Sequence, residues 1–439
     1  MRFKSSRLLI LLFSSLIILS GCLNSKPEKP IVLKVSAPSV QQFYRDYGYG
    51  FEKKYPHIQV QVVPYDSKSV DPYQDADIRY MYNLPLLRQQ IEQGQLLSLS
   101  SRFQKEENSE LGKLSPIVTT LLKSAADNGE MYGVSPTFQG VALFYNKDLF
   151  KQYGIAPPAN GAAWKDIFAL AMRFPNKGTD GQPLYGIGTN YYRNITLNCI
   201  LEAGRTEGLS YIQPQTLKVT MNTEKWRTIW NYAIEAFRSG AIKGEEESLG
   251  GNDPSFMTGQ VAMTLGGFSS AYSFEEYAEM FKVKRINWGI ITPPVDPGQP
   301  DRSRSYTVDE IFGISTASMH QEEAWKLLEF IVSDAENIRN RANYRSQGIP
   351  SITEYMQPLS NWDDLSPIYK LQANPDNPNP YLVIDPKIVT ALQDVAQPIL
   401  DQVIRGDKTV EAALAEVELK GQQAVDVKRM ELQKGALPK

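Results

Sequence analysis

Ile31-Val32-Leu33-Lys34-Val35 reads as a buried strand, a helical stripe of Val40, Phe43, Tyr47 and Phe51 follows and stops near Pro56, and Ile58-Gln59-Val60-Gln61-Val62 alternates as a second strand. This switch of apolar period from two to 3.6 and back constrains the fold more than any other feature of the chain. Strand, helix, strand at this spacing is a βαβ unit, and such units build a mainly parallel sheet with helices on both faces. A short strand around Ala76-Asp77-Ile78 and a helix carrying Leu84, Leu87 and Ile91, closed by Gly94, extend the pattern.

A second α/β body begins near Gly140. Residues 140–145 read as a strand, and Trp164, Ile167, Phe168 and Ala171 share one face of a helix over Trp164 to Met172. A loop-rich part from Pro175 to Arg193 leads to helices around Ile195 to Ala203 and Lys225 to Arg238. Strands follow at 260–265 and 288–291. After a turn-rich stretch up to Ser305, Ile311-Phe312-Gly313-Ile314 returns to strand character. Ser318 and Gln321 make a capping-box pattern ahead of a helix bearing Ala324, Leu327, Leu328 and Ile331. Asp385, Pro386 and Gly406 punctuate a further helix, with Ile388, Leu392, Val395, Ile399 and Val403 on one face and a kink expected at Pro398. Two such bodies with a return between them require the chain to cross from one to the other more than once, which makes a hinge.

The N-terminus sets the compartment. Arg2, Lys4 and Arg7 precede apolar runs at Leu8 to Leu12 and Leu16 to Leu19, with the shape of a secretory signal too short to span a bilayer comfortably. The runs stop at Leu19-Ser20-Gly21-Cys22, which looks like a bacterial lipobox, so residues 1–21 are expected to be a lipoprotein signal peptide and Cys22 to carry the lipid. Residues 22–30 are polar and proline-punctuated, a lipid-anchored linker on the outer face of the cell membrane. Lipidation of Cys22 leaves Cys199 as the one thiol, so no intramolecular disulfide forms.

Composition removes other classes. The 439 residues fit two large domains or three smaller ones, and 46 basic against 49 acidic residues leave no global field to hold nucleic acid. Two His and two Cys make a His or Cys metal centre improbable, and no cofactor is expected. No nucleophile elbow, zinc-protease, P-loop or dinucleotide motif occurs.

At Tyr132-Gly133-Val134-Ser135-Pro136, then Leu143-Phe144-Tyr145-Asn146-Lys147-Asp148-Leu149-Phe150, then Tyr153-Gly154-Ile155-Ala156-Pro157-Pro158, the chain resembles the family 1 extracellular solute-binding proteins, the maltodextrin-binding-protein-like subunits of ABC sugar importers. Residues 51–60, 257–263, 313–325 and 408–414 resemble further segments of that family in the same order. The resemblance implies a type II periplasmic-binding-protein-like fold: two α/β lobes, each a mainly parallel sheet with flanking helices, and a ligand cleft between them. On that pattern residues 31–139 plus 306–348 form the N-terminal lobe and residues 140–305 plus 349–439 the C-terminal lobe. The expected partners are a small solute, foremost a mono- or oligosaccharide, and the permease of an ABC importer, with the protein itself a monomer.

Sugars present hydroxyls and apolar C–H faces, so their sites need aromatic platforms beside short polar groups. By position against the family pattern the candidates are Tyr80 and Tyr82 after the third strand, Phe138 and Gln139 at the first crossing, and Asn190 and Tyr191 in a loop of the second lobe. Phe268 lies where the family often carries Trp, and Asp309 and Glu310 sit at the return crossing. Each has an alternative, packing under a loop for the aromatics and a solvated hinge turn for the carboxylates. A surface glycosidase would also need platforms, with two carboxylates about 5 to 9 Å apart on one bond. Adjacent side chains on a strand point to opposite faces, so Asp309 and Glu310 do not suit that task and no catalytic residue is expected. A lipoprotein that binds a partner without transport is the third class the sequence leaves open.

Overall fold

The computed structural model describes residues 30–435 apart from 70–71, 74, 106–108, 190–193, 245–253, 283, 343–347, 357–363 and 377–378. The signal segment, Cys22, and the candidates Asn190 and Tyr191 lie outside the described residues.

The N-terminal lobe is built on β1 (Ile31–Ala37), β2 (Ile58–Pro64) and β3 (Ile78–Met81). β1 runs parallel to both neighbours, with Ile31 to Ala37 opposite Ile58 to Pro64 and Val35 opposite Ile78. The helical stripe after β1 forms Val40–Phe43, a π-helical turn Tyr44–Gly48 and Tyr49–Lys54, and it buries Phe43, Tyr47 and Phe51. β3 begins at Ile78 rather than Ala76, because the Asp77 carboxylate accepts the Lys34 amide proton at 2.9 Å in place of a ladder partner.

The first crossing carries β4 (Thr137–Phe138) and leads directly into β5 (Val141–Asn146). β5 sits inside the C-terminal sheet with β6 (Tyr185–Gly188), β7 (Val261–Gly267) and β8 (Trp288–Ile291), in the order β6-β7-β5-β8. β5 is antiparallel to both β7 and β8, and only β6 and β7 run parallel. The expectation of a mainly parallel sheet holds in the N-terminal lobe, where β1 is parallel to both neighbours, and is corrected for the C-terminal sheet, which is mixed. β5 arrives from the other lobe rather than through a crossover helix, so the connection that forces neighbouring strands parallel is missing.

Past β9 (Arg302–Ser303), β10 (Ile311–Ile314) returns to the N-terminal sheet and pairs antiparallel with β3, giving β10-β3-β1-β2. The helix Gln321–Ser333 then buries Ala324, Leu327, Leu328 and Ile331 as its period requires. Its start is not the expected capping box: the Ser318 hydroxyl donates to Asp77 Oδ1 at 2.6 Å, and His320 occupies the N-cap. β11 (Ile349–Pro350) pairs with β4, and β12 (Gln372–Ala373) with β9. Ser351 accepts the Ser115 amide proton and donates its own to Pro136, while the Tyr355 hydroxyl reaches Glu110. The segment from Ile349 to Tyr355, placed with the C-terminal lobe on sequence grounds, is thus bonded to the N-terminal one.

The helix Pro386–Arg405 follows its punctuation, with Asp385 capping Lys387 N at 2.8 Å and Gly406 left-handed at φ 86°. It continues through Pro398, which is exposed. It packs on Val410–Gly435 to close the C-terminal core. A separate apolar cluster runs through the crossings, joining Met81 and Leu87 to Phe138, Tyr306 and Ile368 and on to Phe144 and Phe268.

Candidate functional site

The carboxyl ends of parallel strands are where open α/β sheets leave room for ligands. In the N-terminal lobe that edge is aromatic. Tyr65 follows β2 directly, Tyr82 follows β3, and Tyr80 is the third residue of β3, its amide donating to Ser36 Oγ at 2.7 Å. The Tyr65 ring lies 5.8 Å from Tyr80, 6.3 Å from Tyr82 and 5.6 Å from Tyr73, mostly edge to face. Arg79 holds its guanidinium 4.8 Å from the Tyr73 ring. Burial, with the negative potential of Glu310 and Asp309 added, pushes the Tyr80 phenol up to about 12. It therefore remains a neutral donor and acceptor. Tyr82 is 47% exposed and carries the open end of this cluster.

The two first crossings meet at a backbone pair: Gln139 N donates to Thr307 O at 2.8 Å and Thr307 N donates to Gln139 O at 3.2 Å. Gln139 is half-buried there. Its neighbour Gly140 admits no larger residue, since a Cβ would fall 2.6 Å from the Ile368 carbonyl oxygen. Two residues on, Val141 lines a cavity of about 290 Å³.

That cavity occupies the corresponding edge of the C-terminal sheet. Thr189 follows β6, Leu265 to Gly267 close β7, and Val141 opposes Gly267 in the ladder. Trp164 and Glu202 with Arg205 form the helical walls. The indole N–H of Trp164 donates to Thr206 Oγ1 at 3.1 Å, which fixes the ring. Arg205 forks onto Glu202, Nε at 2.9 Å from Oε2 and Nη2 on Oε1, and its Nη1 donates to the Arg304 carbonyl at 2.6 Å. A fork of this kind aims a carboxylate while leaving lone pairs for a further donor. Thr189 Oγ1 is buried with no hydrogen-bond partner among the described residues. Cys199 also lines the cavity, but burial pushes its thiol far up and keeps it protonated and inert.

Of the sequence candidates, Tyr80 and Tyr82 both meet the Tyr65 ring, the Tyr80 hydroxyl approaches the Asp309 carbonyl oxygen at 3.4 Å, and Gln139 pairs with Thr307, two residues before Asp309. The Asp309 side chain is exposed. Three others do not present themselves to a ligand. Phe138 is buried at 1% exposure against Tyr306, because β4 turns it into the cluster that spans the crossings. Phe268 opens the helix Phe268–Phe281 with its ring 5.3 Å from Tyr272, buried in the same cluster. Glu310 is consumed internally, accepting from Tyr47 Oη at 3.0 Å and from Arg341 Nη2 at 3.2 Å. Sequence reasoning missed Tyr65 and Tyr73; the place of Tyr65 directly after β2, like that of Tyr82 after β3, is the signal that could have found it. It read Trp164 as a helix face and passed over Glu202 and Arg205.

Residues 49–379 match the profile of the bacterial extracellular solute-binding proteins. The chain belongs to that family. A protein of Brucella abortus named as a binding protein is 22% identical over 235 residues, and the match spans 49%, about half, of each chain. Among solved structures, an extracellular solute-binding protein of family 1 from Alicyclobacillus acidocaldarius superposes with a TM-score of 0.67 at 15% identity, covering 92% of this chain and all of that one. A sugar transporter from Rhizobium etli in an open conformation gives 0.65 at 15% identity over 90% of this chain and 99% of its own. A substrate-binding protein of Listeria monocytogenes in complex with cycloalternan gives 0.57 at 20%, with 90% and 99% covered. At such identities these likenesses show the two-lobed fold. A solute-binding protein is a binder rather than an enzyme, which agrees with the unsuitability of Asp309 and Glu310 as a catalytic pair. In this solute-binding protein the tyrosine edge touches the return crossing at Asp309, the C-terminal cavity begins at Val141 after the first crossing, and the two crossings pair at Gln139 and Thr307.

Proposed function

We propose that this chain is the lipid-anchored substrate-binding subunit of an ABC importer, which captures a neutral mono- or oligosaccharide by closing its two lobes and delivers it to the permease. The observation that carries the reading is the pairing of aromatic and polar groups on both carboxyl edges beside the Gln139–Thr307 pair. Tyr65, Tyr80 and Tyr82 supply platforms on one side. Trp164, Thr189 and the aimed Glu202 supply an apolar wall and hydroxyl partners on the other. Gln139 and Asp309 are assigned to ligand contact at the crossing, and Asn190 and Tyr191 at the loop that follows Thr189. We divide the lobes as residues 31–139 with 306–356 and residues 140–305 with 364–435. Saccharide-binding neighbours of the same fold support the ligand class.

Calorimetric titration with a panel of neutral mono- and oligosaccharides, paired with small-angle scattering, tests the capture. Binding with a smaller radius of gyration is expected. Absence of binding across the panel, or consumption of a sugar, would overturn it. The anchor is tested separately. No helix among the described residues is long and apolar enough to cross a membrane. Cys22→Ala should therefore move the protein from the membrane fraction to the soluble one, because acyl chains would be its main hold on lipid.

A further inference from the structure

We propose that Arg341 is a positioning residue for capture, holding the return crossing and the tyrosine edge in the geometry that receives ligand. Arg341 lies on the helix Ala335–Ala342, which leads toward β11, and it is 7% exposed. Its Nη2 donates to Glu310 Oε2 at 3.2 Å, and its guanidinium stands 4.5 Å from the centre of the Tyr47 ring. Tyr47 donates to the other oxygen of Glu310, so one carboxylate is gripped from two elements. Burial works against the Arg341 charge, and Tyr47, Glu310 and the buried Asp46 together outweigh it.

Two routes run from this clamp to Tyr80. Along the backbone, Glu310 follows Asp309, whose carbonyl oxygen receives the Tyr80 hydroxyl. Through packing, Tyr47 meets Phe312 at 6.0 Å and Phe312 meets Tyr80 at 5.7 Å. Arg341 therefore acts on the ligand edge from behind. A buried ion pair adds little net stability compared with an apolar pair of the same shape. The grip of Arg341 and Tyr47 on Glu310 does fix direction, and a competent state populated less often raises the apparent Kd in proportion.

The ligand arm of the test rests on the saccharide reading and uses maltotriose. Arg341→Lys keeps the charge and loses the planar guanidinium that covers Tyr47 while bonding Glu310, and Kd should rise about tenfold, as expected if the competent population falls to about one in ten. The double variant Arg341→Met with Glu310→Gln removes both charges, and its Tm should lie within about 3 °C of the parent while affinity stays weak. Recovery of affinity together with Tm would reduce the pair to a structural role and overturn the proposal. A second arm needs no ligand: spin labels at Gln93→Cys and Lys284→Cys report the distance between the lobes. The distribution should broaden in both Arg341 variants, and an unchanged distribution would also overturn the proposal. If the parent does not bind maltotriose, the saccharide reading fails for that sugar and the distance arm still decides the role of Arg341.

Discussion

The two carboxyl edges of this protein are built differently although one topological rule locates both. The N-terminal edge is made by residues that follow strands, Tyr65 after β2 and Tyr82 after β3, and its rings lean on one another, Tyr65 half-buried and Tyr82 exposed. The C-terminal edge is a cavity whose walls are helix faces: Trp164 opens one helix, and Glu202 with Arg205 lies on another. The first can lose a ring without losing its fold. In the second, the proposed binding surface and the core share Trp164, so a change there is a change to both.

The largest expected effect sharpens that contrast at Trp164. The side chain is 4% exposed, its ring lies 5.2 Å from Phe168, and its N–H is bonded. Trp164→Ala should cost about 3–5 kcal/mol of folding stability, the range for truncating a buried aromatic. Chemical denaturation checks it, and a cost under about 1 kcal/mol would mean that the wall is dispensable to the core.

Tyr82→Ala is the matched change on the other edge. At 47% exposure the ring should contribute less than about 0.5 kcal/mol to stability, whereas loss of a stacking surface should weaken saccharide binding about tenfold. Titration and a melt on one sample read both quantities. A large fall in Tm with normal affinity would show that the two edges do not differ in the way argued here.

The same contrast explains what was legible in the sequence. Period and punctuation located β1, β2, the helices at Gln321–Ser333 and Pro386–Arg405, and the crossing at Gly140, because each rests on local chemistry. The direction of β5 was not legible, since it depends on a chain arriving from another lobe. Tyr80 and Tyr82 could be singled out by their position against the family pattern, although Tyr80 lies within β3 rather than after it. Phe138 and Phe268 were misplaced because an aromatic at a crossing looks the same whether it faces ligand or a core that continues through the hinge. Glu202 and Arg205, three apart on a helix, look like any surface ion pair until the sheet edge beside them is known.

The smallest expected effect concerns the carboxylates behind the edges. In the N-terminal lobe Glu310 is gripped by Arg341, while in the C-terminal lobe Glu207 receives the Tyr232 hydroxyl at 3.3 Å. Burial raises the Glu207 carboxyl above its ordinary value of 4.5, with Asp296 adding to the rise and the Tyr232 bond opposing it. A carboxyl raised in the folded state contributes stability that is fully present below 4.5 and is lost as pH climbs through the folded value. Glu207→Gln has no such loss. Its Tm relative to the parent should therefore improve steadily as pH is raised from about 4 to about 7, by a few degrees at most. Parallel melts across that range check it. A relative Tm that does not change with pH would mean that Glu207 titrates as it does in water, and a relative Tm that falls as pH rises would mean that the Tyr232 bond outweighs burial.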